Sequence, residues 1–201
     1  MFIPTLLSQA DAEQQAEFLP DALSLRIVGT YAQTELGHGT FVRGLETTAT
    51  FDARNDRFVL HSPTLSATKW WPGGLGATAT HAVVMARLFC GRGVDRGPHA
   101  FVVQLRDMET HSALPGVKVG DIGPKLGFGS VDNGWLELDH VCIRAFWFLS
   151  FFFKEVFLTF PPLYFTTLLF LTSLKFTPLF STPPSPPPSP PKHADEVRLG
   201  L

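Results

Sequence analysis

THAVVMARL (residues 80–88) and HAFVVQLR (residues 99–106) decide the fold. Taken alone, residues 80–88 fit a helix or a strand, because a short apolar run carries no distinguishing period. Its position opposite 99–106 favours the strand. Residues 90–98 between them carry glycines and a proline, so the two runs read as a hairpin.

The same texture extends in both directions. Short runs rich in Val, Thr and Phe, separated by Gly, Pro, Asn and Asp clusters, mark an all-β domain. Strands are expected at residues 26–33, 45–51, 57–61, 80–88, 99–106 and 134–141, with residues 52–56 closing a second hairpin. Roughly 120 residues of this kind are enough for one sandwich or small barrel core. No internal repeat is present. N-terminal to them, residues 1–20 read as helical: Asp11 can cap a turn with Gln14 reaching back, Ala12, Ala16 and Leu19 recur at helical spacing, and Pro20 is expected to stop the helix.

The 201 residues divide sharply in composition near Arg144. Of 19 Phe, 8 lie up to Arg144 and 11 after it; of 17 Pro, 7 lie before and 10 after. Three parts are therefore expected: residues 1–24, a helical remnant; 25–144, the β domain; and 145–201, a Phe/Leu/Pro-rich tail, irregular or disordered. Residues 181–191 are a Ser/Pro run that only an extended or disordered chain accommodates. Residues 156–174 are nearly free of charge and close to the ~20 residues of a membrane helix, but Pro161 and Pro162 oppose a helix interior. Phe, Leu, Ser and Pro have codons that pyrimidines alone can build, so translated intron sequence is the competing explanation of the tail.

A net charge of -2 offers no basic footprint for nucleic acid. Cys90 and Cys142 form no metal-ligand spacing and no disulfide framework; both read as buried, reduced thiols. Residues 1–8 lack the basic start and long apolar run of a secretory signal, which implies an intracellular location.

Two loops stand out chemically. In YAQTELGHGTFVRGLETTAT (residues 31–50) a strand delivers Thr34 and Glu35, and Gly37 and Gly39 then permit a tight turn carrying His38. Such a turn is either purely structural or shaped for a flat ligand. In KWWPGGLG (residues 69–76) Trp70 and Trp71 point to opposite faces of a strand end, so one can pack inward while the other meets a ligand. Glu46, Asp121, Asp132 and Glu137 have no paired carboxylate in sequence and read as solvated or turn-stabilising.

The segments YAQTELGHGTFVRGLETTATFD (residues 31–52), HSPTLSATKWWPGGLGATATHAVV (61–84), HAFVVQLRDMETHSALPGVKVGDIGPKLGF (99–128) and VDNGWLELDHVCI (131–143) closely resemble the middle β domain of peroxisomal acyl-CoA oxidases. The resemblance is nearly continuous from the N-terminal helix to Ile143. It implies FAD as cofactor, fatty acyl-CoA and molecular oxygen as reactants, trans-2-enoyl-CoA and hydrogen peroxide as products, a homodimer for complete members, and the peroxisome as location. It also implies cofactor-binding roles for Thr34, in YAQTE, and Gly73, in WWPGG, with Glu35, Gly37 and His38 shaping the turn. Trp70 or Trp71 packs either near the flavin or in the core.

The chain departs from that pattern after Ile143. The family's catalytic glutamate lies in a C-terminal helical domain for which this sequence has no counterpart, so no catalytic residue is expected here and no turnover by this chain alone. The ending Leu199-Gly200-Leu201 is not a Ser-Lys-Leu address. The other readings are a non-enzymatic interaction module, a membrane-tethered β domain, or a product that misfolds because its helical cover is missing.

Overall fold

In the computed structural model, residues 1–91 and 93–149 are described; the membrane-span and Ser/Pro expectations fall on residues outside them. Two helices lead into ten strands. Helix α1 (Phe2–Gln9) and helix α2 (Ala12–Leu23) replace the single helix expected over residues 1–20. The capping box explains the break: Asp11 Oδ1 accepts from Gln14 N–H (2.9 Å) and Gln14 Oε1 accepts from Asp11 N–H (3.0 Å), starting a second helix. Pro20 does not end α2. It lies inside the last turn, where its carbonyl still accepts from Ser24 N–H (3.1 Å), and the burial of Phe18 and Ala22 on one face outweighs the donor it lacks.

The strands are β1 (Gly29–Ala32), β2 (Thr48–Asp52), β3 (Arg57–His61), β4 (Lys69–Trp70), β5 (His81–Cys90), β6 (Val94–Gln104), β7 (Val117–Asp121), β8 (Gly134–Leu138), β9 (Val141–Arg144) and β10 (Phe148–Leu149). One sheet runs β10-β6-β5-β2-β3-β9, and β1 joins it beside β5; a second, smaller sheet runs β4-β8-β7. The fold is mainly β, as the expected sandwich or barrel requires, with two short helices ahead of it. β5 organises the large sheet. It pairs with β6 along one edge, and its other edge is shared end to end by β1, parallel from Gly29↔His81, and β2, parallel from Thr48↔Arg87.

Alternation along β5 and β6 sorts their side chains between two cores. Ala82, Val84, Ala86 and Leu88, with Phe101, Val103 and Leu105, face the core between the sheets; Val83 and Val102 face a second core with Phe2, Leu6, Phe18 and Ala22 of the helices. Burial on both faces is why residues 82–86 form an unbroken apolar run that resembles a helix segment. Phe2 packs so closely on β1 that a Cβ on Gly29 would fall 2.1 Å from its ring.

Several expectations need correcting. The strand expected over residues 134–141 is two strands in different sheets, β8 and β9, joined by Asp139 and His140, the latter at φ 53. The loop expected over residues 90–98 shortens because β5 continues to Cys90 and β6 begins at Val94. Cys90 is buried, and burial pushes its thiol up to about 11, but Cys142 is exposed rather than buried; both are free.

The first tail residues also belong to the fold. Beyond the compositional break, residues 145–149 form a 3-10 turn (Ala145–Trp147) and then β10, whose Phe148 and Leu149 pair with Phe101 and Ala100 and are buried. Phe148 completes an aromatic cluster with Phe58 and Phe101, at 5.4 and 5.2 Å between centroids. Gln14, buried in α2, donates to the carbonyls of Phe146 and Phe148. Apolar side chains of suitable spacing cover the β6 edge whatever their origin. Among the described residues, no helix is long and apolar enough to cross a membrane.

Candidate functional site

The two chemically distinct loops meet. Trp70 N–H donates to Thr34 O (2.9 Å), Leu36 N–H to Thr68 O (2.8 Å) and Gly37 N–H to Ser66 O (2.9 Å), while Thr30 Oγ1 donates to Gly73 O (2.8 Å). The YAQTE and WWPGG segments are thereby stitched into one surface.

A buried ion pair underlies the junction. Lys69 and Glu35 have side chains with no exposed area, 3.0 Å apart between Nζ and Oε1. The three donors of Lys69 Nζ are matched by three acceptors: Glu35 Oε1, Gln33 O (3.2 Å) and Met85 O (2.7 Å). Glu35 Oε1 also accepts from Thr47 N–H (2.9 Å) and Thr47 Oγ1 (2.6 Å), and Oε2 from Glu46 N–H (2.8 Å). Burial lowers the Lys69 ammonium to about 8, an effect the adjacent Glu35 carboxylate opposes.

Glu35 was expected only to shape a turn. It anchors one loop to the other, and Lys69, 34 residues away, was not anticipated. A lysine before two tryptophans carries no local sign that it is buried. Gln33, Thr47 and Met85, which complete the network, were likewise unmarked.

Thr34 is half-buried beside this pair, its carbonyl committed to Trp70. Gly73 is exposed, and a Cβ there would meet only Val131 Cγ1, at an ordinary 3.5 Å. Neither packing within the chain nor a positive φ demands glycine at 73, in contrast to neighbouring Gly74 at φ 78. The open side of Gly73 therefore suits close approach by something outside the chain.

The remaining residues take defined places. His38 Nε2 donates to Glu46 Oε1 (3.0 Å); Thr64 and Ser66 hydroxyls also donate to Glu46, and the Thr64 bond, then His38, hold its carboxyl down at about 2. Asp132 accepts from Ala77 N–H, Thr78 N–H and Thr78 Oγ1, and Asp121 from Gly123 N–H (2.6 Å). Glu137 accepts from Thr68 Oγ1 (3.2 Å). These four carboxylates stabilise turns and loop junctions, as their isolation in sequence implied. Of the two tryptophans, Trp70 is half-buried in β4; Trp71 is 48% exposed at φ 87, so neither is a core residue.

Residues 30–141 match the family described as acyl-CoA dehydrogenase, middle domain, and residues 1–28 match acyl-coenzyme A oxidase N-terminal. Among curated proteins, peroxisomal acyl-coenzyme A oxidase 1 of Phascolarctos cinereus is 56% identical over 140 residues, covering 70% of this chain and 21% of that protein; the Bos taurus protein has the same values. The chain thus spans about a fifth of the length of these relatives. Among solved structures, acyl-CoA oxidase-1 of Caenorhabditis elegans complexed with FAD and ATP is 51% identical, with a TM-score of 0.74 over 76% of this chain and 23% of that one. Arabidopsis thaliana acyl-CoA oxidase 1 is 55% identical, with a TM-score of 0.73 over 75% of this chain and 23% of that one. The geometry and these likenesses agree: the chain belongs to the acyl-CoA dehydrogenase and oxidase family, and it carries the middle β domain preceded by a segment of the oxidase N-terminal region.

Proposed function

We propose that this chain is the flavin-contacting segment of an FAD-dependent acyl-CoA oxidase acting in peroxisomal fatty-acid β-oxidation, with a fatty acyl-CoA and molecular oxygen as the reactants of the complete enzyme. The observation that carries the reading is the junction of the Thr34 and Gly73 loops. Thr34 is tied to the second loop through its carbonyl, which accepts from Trp70 N–H, and a Cβ built on Gly73 would meet only Val131 Cγ1, at 3.5 Å. The Glu35–Lys69 pair beneath holds both loops in register.

FAD, when bound, accepts the hydride removed from the acyl β-carbon. The chain's share is orientation and hydrogen bonding. Thr34 and Gly73 would hold the flavin: the hydroxyl and N–H of Thr34 would donate to a polar edge on which negative charge grows during reduction, and Gly73, with no Cβ, would allow close approach of the backbone. The glutamate that removes the α-proton belongs to a part of the family outside the matched residues, and no carboxylate of this site replaces it. Glu35 is fully committed to Lys69, Thr47 and Glu46, and Glu46 to His38, Thr64 and Ser66. General-base catalysis requires a carboxylate that can reach the substrate proton, so the chain alone does not turn over.

The test is flavin binding by the full purified chain, followed by quenching of FAD fluorescence. Wild type binds; Thr34→Val weakens binding about tenfold, the equivalent of one hydrogen bond, and Gly73→Val abolishes it. Equal affinity in all three proteins would remove the assignment. Hydrogen peroxide released from a long-chain acyl-CoA by this chain alone would overturn its inactivity.

A further inference from the structure

At the corner where the two sheets are joined, three metal-capable side chains, His61, Asp139 and His140, converge. β3 and β9 pair antiparallel with Leu60 opposite Val141, so one step outward in the same register His61 faces His140. Their imidazoles stack at 4.0 Å between centroids, 23° apart. Asp139 precedes His140 in the two-residue link from β8 to β9, and Asp139 N–H donates to Gly116 O (2.8 Å), which fixes the link in place. His140 Nδ1 lies 2.7 Å and His61 Nδ1 3.8 Å from the same oxygen, Asp139 Oδ1.

One ligand atom in each of His61, Asp139 and His140 lies within 4.8 Å of the other two. His61 Nδ1 is buried and has no hydrogen-bond partner, a state that natural interiors avoid. Two imidazole nitrogens and one carboxylate oxygen are the donor set that zinc and its neighbours in the transition series prefer. With metal–ligand bonds of about 2.1 Å, tetrahedral ligands sit about 3.4 Å apart, so the set must close by roughly 1 Å. His140 can supply that movement: its side chain is 67% exposed, and pivoting it unstacks the rings and turns its lone pair inward. Lys118 of β7 lies 3.7 Å from Glu137, and after the hydrogen bond with His140 its charge, with those of His140 and His61, helps to hold the Asp139 carboxyl ionised.

We propose that His61, Asp139 and His140 form a surface site for a divalent transition-metal ion of the zinc type, with water completing its coordination. The site lies on the link from β8 to β9, so a bound ion would tie β3 to the joint between the sheets. Calorimetric titration of the full, untagged chain with Zn2+ tests it. One equivalent is taken up by wild type. His140→Gln and His61→Gln each weaken uptake by roughly tenfold or more, while His111→Gln, on a separate loop, leaves it unchanged. His140 is exposed, so its variant keeps the fold, and circular dichroism on the same samples verifies this. Co2+ in place of Zn2+ gives the intense visible absorption of a tetrahedral nitrogen-containing site. A folded wild type that takes up no Zn2+, uptake undiminished in both histidine variants, or a Co2+ spectrum of the aquo ion alone would each overturn the proposal.

Discussion

Replacing Glu35 by alanine removes one acceptor from four donors at once: Lys69 Nζ, Thr47 N–H, Thr47 Oγ1 and Glu46 N–H. Lys69 would keep two carbonyls but lose its counter-charge at a site with no exposed area. Breaking a buried pair from one side costs about 3–5 kcal/mol, and Glu35→Ala belongs at the upper end because the N–H groups of Glu46 and Thr47 also lose their acceptor, while Thr47 Oγ1 keeps Ala67 O (3.1 Å). Lys69→Met should cost less, about 3 kcal/mol, since the carboxylate left behind still accepts three hydrogen bonds. Against a total stability of roughly 5–15 kcal/mol, either change moves the urea midpoint visibly. The double variant, which buries no uncompensated charge, should fall short of the sum of the singles by about 1–3 kcal/mol. Flavin affinity should fall in every variant, because Thr34 and Trp70 are held by the segments this pair joins. A Glu35→Ala effect below about 1 kcal/mol, or singles that simply add, would refute the reasoning.

Burial holds His81 down at about 4, so it stays neutral in the folded chain and charges on unfolding below about 6.5. Stability should therefore fall as pH drops from 6.5 to 4, by on the order of 3 kcal/mol from this group, and His81→Gln should flatten that limb of a thermal-melt profile. Phe148→Ala opens the Phe58–Phe101–Phe148 cluster and should cost about 3–5 kcal/mol in urea denaturation, whereas Phe128→Ala, at 71% exposure, should change little. Gln14→Leu leaves the carbonyls of Phe146 and Phe148 without their donor, and faster hydrogen exchange across β10 and the facing edge of β6 should report it.

The β character of the chain was legible because turn residues punctuate β-branched runs; residues 57–61 coincide with β3, and the hairpin at 52–56 joins β2 to β3. What escaped was whatever depends on distant partners. β4 has two residues and exists because Glu35 and Leu136 flank Lys69, which no window around KWW discloses. The division of residues 134–141 rests on a left-handed His140, a conformation that residue type favours only weakly. The family motifs marked Thr34 and Gly73 as candidates, but the ion pair that joins their loops spans residues 35 and 69 and could not be read from either end.

The contact of Gln14 with Phe148 bridges 134 positions, and β10 is the last strand of the described fold. A ribosome adding ~5–20 residues per second needs on the order of ten seconds to travel between them. Throughout that interval the floor that α2 rests on is incomplete, and from the time β6 is made until β10 follows, the β6 edge stands open to any other nascent chain. Vectorial synthesis therefore makes residues 145–149 the last of the described fold to be added, and a transcript that altered those few codons would govern yield more strongly than their number suggests.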